Sequence, residues 1–167
     1  MIQKNTRETR QSIIDACLWM NSSGLNQGTS GNISVFTDEG ILITPSSLPY
    51  EETQPEDIVL LPGDGLLGEA VGRHRPSSEW KFHADIYNKR DDIHSVVHTH
   101  SIYATALSML RKDIPSVHYM IGVFGGDSIR CADYAHYGSK ELSENALIAL
   151  QDRTGCLLGT HGMIACG

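Results

Sequence analysis

Cysteine, basic residues and aromatics are scarce in this chain, and long apolar runs are absent. Four cysteines occur in 167 residues, Cys17, Cys131, Cys156 and Cys166, with no Cys-x-x-Cys pair among them. That spacing excludes the thiolate cages of structural zinc and argues against a disulfide scaffold, so the thiols are expected to be reduced and buried. Thirteen Lys and Arg against twenty Asp and Glu give a net charge of -7 and a pI near 5.5. A surface of that sign does not favour phosphate backbones or anionic membranes, which excludes nucleic acid and membrane as expected partners. Any phosphate must be held locally. No stretch approaches the roughly 18 apolar residues of a membrane span, and Gln3-Lys4-Asn5 stands where a signal peptide would need an apolar core. A cytoplasmic location is the expectation. With 40% hydrophobic and 20% charged residues and no repeat or low-complexity tract, the chain reads as one globular domain.

The apolar periodicity supplies the elements. Asn5-x-x-Glu8 reads as a capping box opening a helix with Ile13, Ile14, Cys17 and Leu18 at helical spacing, ended by Gly24. Strands are predicted at 33–36, 41–44 and 58–61, separated by Asp38-Glu39-Gly40 and Pro62-Gly63-Asp64-Gly65, which are turn compositions that favour antiparallel pairing. Ser77-Ser78-Glu79 caps a helix running to about Asn88. A strand through His98, a helix over 103–110, a strand over 116–120, a break at Gly125-Gly126, a helix from Ser139 to about Asp152 and strands at 156–158 and 163–165 complete the pattern. Helices interleaved with strands in this order predict an α/β fold, three layers α/β/α around a central mixed, largely antiparallel sheet. The last strand runs to the end of the sequence, so one sheet face is expected to be short of apolar cover unless another chain or further residues supply it.

The most informative motif is His98-Thr99-His100, at the end of the run Ser95-Val96-Val97. Residues two apart on a strand share a face, so the two imidazoles can meet one cation while Thr99 points away. A third can come from His161 in Thr160-His161-Gly162. Three imidazoles with an open position are the donor set of a catalytic Zn²⁺ site. Glu79, placed in the first turn of its helix, is kept ionised by the helix dipole and is a candidate base or fourth ligand. His83, four residues on, is expected to pack beside Trp80 rather than bind metal, and His74, His94, His118 and His136 read as structural or surface residues. Three turns offer hydroxyls and free N–H groups to an anion: Gly28-Thr29-Ser30-Gly31-Asn32, Thr44-Pro45-Ser46-Ser47 and Pro76-Ser77-Ser78. Each alone is ordinary turn or capping chemistry; only their convergence would make a phosphate cradle.

Taken together, Gly28 to Asn32, Ile43-Thr44-Pro45, Pro76-Ser77-Ser78-Glu79-Trp80, Val97-His98-Thr99-His100, the run Ile114 to Met120 and His161-Gly162 resemble the zinc-dependent class II aldolases of the fuculose phosphate type in order and spacing. The resemblance covers nearly the whole chain. It implies a homotetramer that cleaves a ketose 1-phosphate into dihydroxyacetone phosphate and an aldehyde. It implies zinc ligation by His98, His100, His161 and Glu79, with Glu79 also the base. It further implies a phosphate site at Gly31, Asn32, Ser46, Ser47, Ser77 and Ser78, and a Tyr119 that reaches across a subunit interface to the aldehyde-side oxygen. Read from the residues alone, Tyr119 is a core aromatic.

Two departures from that pattern stand out. Ser47 takes a place where the family commonly has glycine, which restricts the backbone of the second turn. Family members also usually continue with further helices past the position of Gly167, so residues 1–167 are expected to form a single aldolase-like domain without them, with turnover at risk. Related sugar-phosphate epimerases and methylthioribulose phosphate dehydratases share the metal scaffold, and adducin-type heads share the fold as interaction modules. The Ser77-Ser78-Glu79-Trp80 context favours an aldolase, and the retained histidines argue against a module.

Overall fold

The apolar stripe Ile13, Ile14, Cys17 and Met20 forces helix α1, Arg7–Ser22, against one face of a seven-stranded sheet, in a computed structural model that describes residues 2–63 and 70–167. Its cap is Thr6, whose side chain accepts from Thr9 N, rather than the expected Asn5; Asn5 instead bonds outward to Asp38 and Glu39. Strands β1 (Asn32–Thr37), β2 (Gly40–Ile43) and β3 (Val59–Pro62) follow as an antiparallel meander. The predicted turn residues Asp64 and Gly65 lie outside the described residues.

Helix α2 (Trp80–Lys89) leads to β4 (Ser95–Thr99), and α3 (Ile102–Ser108) leaves it. After the two-residue β5 (Cys131–Ala132) come α4 (Lys140–Ala149), β6 (Gly155–Leu158) and β7 (Gly162–Cys166). The strand order is β3-β2-β1-β4-β7-β6-β5, antiparallel throughout except for the parallel β5–β6 pair. This is the mixed, largely antiparallel sheet that the sequence predicts.

Alternation along the strands divides the core. Ile41, Ile43, Val96, Cys156, Leu158 and Ile164 face α2 and α4, whereas Ile33 and Leu42 pack on α1. Leu157 and Met163 join Ala104 of α3 and Ile121 in a smaller cluster on the side opposite α2 and α4. Two helical layers thus enclose one sheet, as leucine and isoleucine at period two on the strands demand. Between α1 and α3 an open apolar groove runs over Ile33, Val97, Met163 and Ala165, edged by Trp19.

One predicted element is wrong. Residues 116–120 form no strand: Ile114 makes an isolated bridge to Ile129, and Tyr119–Phe124 is a 3-10 helix capped by the His118 side chain. Val117 and Tyr119 are β-formers by type, but no sheet edge faces them, and both are largely exposed.

Candidate metal centre and its surroundings

The pairing register brings the site together. Across the sheet Asn32 lies opposite His98, and His98 opposite Ile164, so these side chains leave the same face, toward α2. His98 is fully buried against the edge of Phe82, while Thr99 points to the other face, into the apolar groove, as strand alternation requires. His100 stands just past the end of β4, and its backbone N–H donates to Asn26 Oδ1. His161 arrives from the tight β6–β7 turn, where Thr160 takes φ 54° and donates its N–H to Ser108 O. A side chain at Gly162 would meet Thr99 O at 2.5 Å and the rings of His100 and His98 at 3.0 and 3.3 Å, so only glycine lets that turn close on β4.

The result is a triangle. The His98, His100 and His161 rings have centroids 4.9 Å apart in every pair, steeply inclined to one another, with one nitrogen of each within 4.8 Å of the others. His98 Nδ1 donates to Met163 O at 2.9 Å, so its Nε2 carries a lone pair, 3.0 Å from His100 Nε2. Glu79 completes the ring of donors, with Oε2 3.2 Å from His98 Nε2 and Oε1 3.3 Å from His161 Nε2. Glu79 is 5% exposed, and Oε1 is buried without a hydrogen-bond partner. Lone pairs this close repel unless a proton or a cation lies among them. Three imidazoles, one carboxylate and an orphaned oxygen are the donor set of a zinc-like divalent ion, so the residues present fit that group.

Burial pushes the Glu79 carboxyl up, but its contacts with the His98 and His161 rings and with the Asn32 amide outweigh that and hold the group at about 2. Burial, with the His98 and His161 rings alongside, lowers His100 to about 4 against the pull of Glu79. His161 is lowered too, by burial first and by His98 second. Neutral His100 and His161 rings beside an ionised Glu79 are the protonation states in which these groups bind metal.

The three anion turns meet here. Ser46 N donates to Arg75 O and Ser77 N to Thr44 O, which ties the second turn to the third. Asn32 Nδ2 donates to Glu79 Oε2 at 3.1 Å, which ties in the first. Gly31 is pinned by the Tyr50 hydroxyl, which donates to its carbonyl, and a Cβ there would meet His98 O at 2.7 Å. Ser77 is buried and its Oγ accepts from Glu79 N; Ser46 is half-buried, Ser47 exposed. Glu79 is therefore the N-cap residue of α2 rather than a first-turn residue. A cavity of about 400 Å³ opens over Ser78, Glu79, His100 and His161, walled by Tyr134 and Tyr137, and Ser78 also borders a second one lined by Ser46, Ser77 and Arg75.

Tyr119 is not brought in. It is 83% exposed, lies with its ring tilted against His118 and is absent from both cavities, so it is neither a core aromatic nor part of this chain's own cluster. His83 stacks on Phe82, and its polar atoms bond Asn32 and Ser34. Asn26, Tyr134 and Tyr137 carry no sequence signal: their places depend on the loop that wraps onto His100 and on the segment that runs from β5 to α4.

Comparison with known proteins agrees with this geometry. A family model described as the class II aldolase and adducin N-terminal domain matches residues 11–167. The chain is 49% identical over 154 residues to the L-fuculose phosphate aldolase of Escherichia coli K12, an alignment covering 92% of this chain and 70% of that one. It is 47% identical over 158 residues to a 5-methylthioribulose-1-phosphate/5-deoxyribulose-1-phosphate aldolase of Rhodospirillum rubrum, covering 95% and 70%. A solved L-fuculose 1-phosphate aldolase superposes with a TM-score of 0.91 at 39% identity over 97% of this chain and 76% of that one. The chain thus belongs to the family of class II aldolases and adducin N-terminal domains, and within it to the aldolases, which are lyases.

Proposed function

We propose that this protein is a zinc-dependent aldolase that cleaves a ketose 1-phosphate reversibly into dihydroxyacetone phosphate and an aldehyde. The observation that carries the reading is the imidazole triangle closed by the orphaned Oε1 of Glu79 beside three converging anion turns. His98, His100, His161 and Glu79 would hold the ion, which supplies Lewis-acid stabilisation of negative charge developing on the substrate. Gly31, Asn32, Ser46, Ser47, Ser77 and Ser78 anchor the phosphate, so binding energy remote from the breaking bond fixes the three-carbon fragment beside Glu79. Glu79 Oε1, buried and unpartnered, takes and returns the proton of that fragment. No lysine is needed for covalent activation.

Tyr119 serves the aldehyde-side oxygen from a neighbouring copy, because in its own chain it stands on the surface. Ile102, Tyr103, Met109, Leu110, Val117 and Tyr119 are all at least 60% exposed, an apolar surface suited to burial between copies, and a cytoplasmic homotetramer of one domain per chain is the proposed form. L-fuculose 1-phosphate is the first substrate to test. The similarity to the Rhodospirillum enzyme favours 5-deoxyribulose and 5-methylthioribulose 1-phosphates as the second. Incubating the purified protein with Zn²⁺ and these three ketose phosphates should release dihydroxyacetone phosphate from at least one of them, and a chelator should stop the release. No product from any ketose 1-phosphate would refute the proposal.

A further inference from the structure

Behind Glu79 runs a line of buried polar groups of which the proposed reaction uses only Asn32. Tyr87, at the far end, donates its hydroxyl to Ser34 O at 2.9 Å and lies 2.8 Å from Ser34 Oγ. Ser34 Oγ is 2.7 Å from His83 Nδ1, His83 Nε2 is 2.5 Å from Asn32 Oδ1, and Asn32 Nδ2 is 3.1 Å from Glu79 Oε2. Ser34 and His83 are 0% exposed, Asn32 3%. The line exists because Asn32 and Ser34 alternate onto the α2 face of β1, while His83 and Tyr87 lie one turn apart on α2.

Its direction is fixed from the Glu79 end. A carboxylate offers only acceptors, so Asn32 must present its NH₂ to Oε2 and its carbonyl oxygen to His83. His83 must then carry its proton on Nε2 and leave Nδ1 bare to accept from the Ser34 hydroxyl; the Tyr87 proton goes to the Ser34 backbone carbonyl. Every side-chain donor from Ser34 onward thus points toward the carboxylate, and such a chain polarises its members cooperatively. The opposite tautomer would set the bare Nε2 against the Asn32 oxygen at 2.5 Å, or rotate the amide and set that oxygen against Glu79.

We propose that His83 is a positioning residue: through Asn32 it holds Glu79 Oε2 as a hydrogen-bond acceptor and leaves Oε1 facing the imidazoles. The geometry stands by itself, and its effect on turnover rests on the aldolase reading above. Two substitutions separate position from bulk. His83→Gln keeps an N–H donor near the place of Nε2, whereas His83→Asn keeps an amide near Ser34 and withdraws the donor from Asn32.

The test is a long-range ¹H–¹⁵N correlation spectrum of the ¹⁵N-histidine-labelled protein, with His83 assigned by its disappearance in H83Q, alongside kcat and KM for each variant. The expected result is a proton on Nε2 alone, a kcat lowered by about tenfold or more in H83N, and recovery in H83Q to within about threefold of the native enzyme. A proton on Nδ1, or equal losses in the two variants, would overturn the proposal. Should H83N fail to fold, the tautomer decides. If the native chain cleaves no ketose phosphate while His83 shows the Nε2–H form, the aldolase reading fails and the positioning of Glu79 stands.

Discussion

Ser47 takes φ 60°, the left-handed region that glycine enters freely and a side chain does not. Ser47→Gly should therefore raise stability by about 1 kcal/mol in a denaturant titration, less the entropy that glycine adds to the unfolded chain. Gly162 is the opposite case: a Cβ has no room between Thr99 O and two ligand rings, so Gly162→Ala should abolish stoichiometric zinc binding in a dialysed sample while the helical circular dichroism survives. Glu79→Gln keeps the bulk but removes the carboxylate proposed as the base, and should slow hydrogen exchange on dihydroxyacetone phosphate by about 10²-fold or more. Burial of His83, with the His98 ring nearby, pushes its imidazole down to about 3, and His100 lies at about 4. Both are neutral in the fold and take up protons when the metal-free chain unfolds. Their contribution is complete above an ordinary histidine pKa of about 6.5 and fades as pH falls toward the folded values, so the denaturant midpoint of metal-free protein should drop between pH 7 and pH 5. The histidine triad was readable because two members lie at strand spacing and the third falls in a motif of the family resemblance. The hydrogen-bond line from Tyr87 to Glu79 was not, because it depends on the β1–β4 register and on which way α2 is turned.

At the scale of elements, α1, α2, α3, α4 and six of the strands follow from apolar period and turn composition, with ends shifted by one to three residues. Two failures have separate causes. The pair Cys131–Ala132 is too short to show any period, and it is held in the sheet by β6 alone. Residues 116–120 carry strand-forming types yet lack a neighbour, and Pro115 and Gly122 leave them in a loop and a 3-10 turn. The helix caps are local and testable: Ser139 Oγ accepts from Leu142 N at 3.1 Å, so Ser139→Ala should cost about 1 kcal/mol in thermal or denaturant unfolding and leave metal content unchanged.

For the whole molecule, the exposed apolar side chains of α3 and the 3-10 segment, and a Tyr119 that points away from its own cluster, lead to one prediction about assembly. Light scattering should give about four times the 18.3 kDa chain mass, and Tyr103→Asp should lower it. Glu79→Gln and Tyr119→Phe protein, each slow alone, should regain activity when unfolded together and refolded as mixed oligomers, since some sites then combine an intact Glu79 with an intact Tyr119. No regain would place Tyr119 outside the reaction. Anomalous diffraction at the zinc edge from crystals grown with Zn²⁺ should show a single strong peak per chain, about 2.0–2.1 Å from one nitrogen each of His98, His100 and His161. A map with no peak inside that triangle, at full zinc supply, would contradict the account.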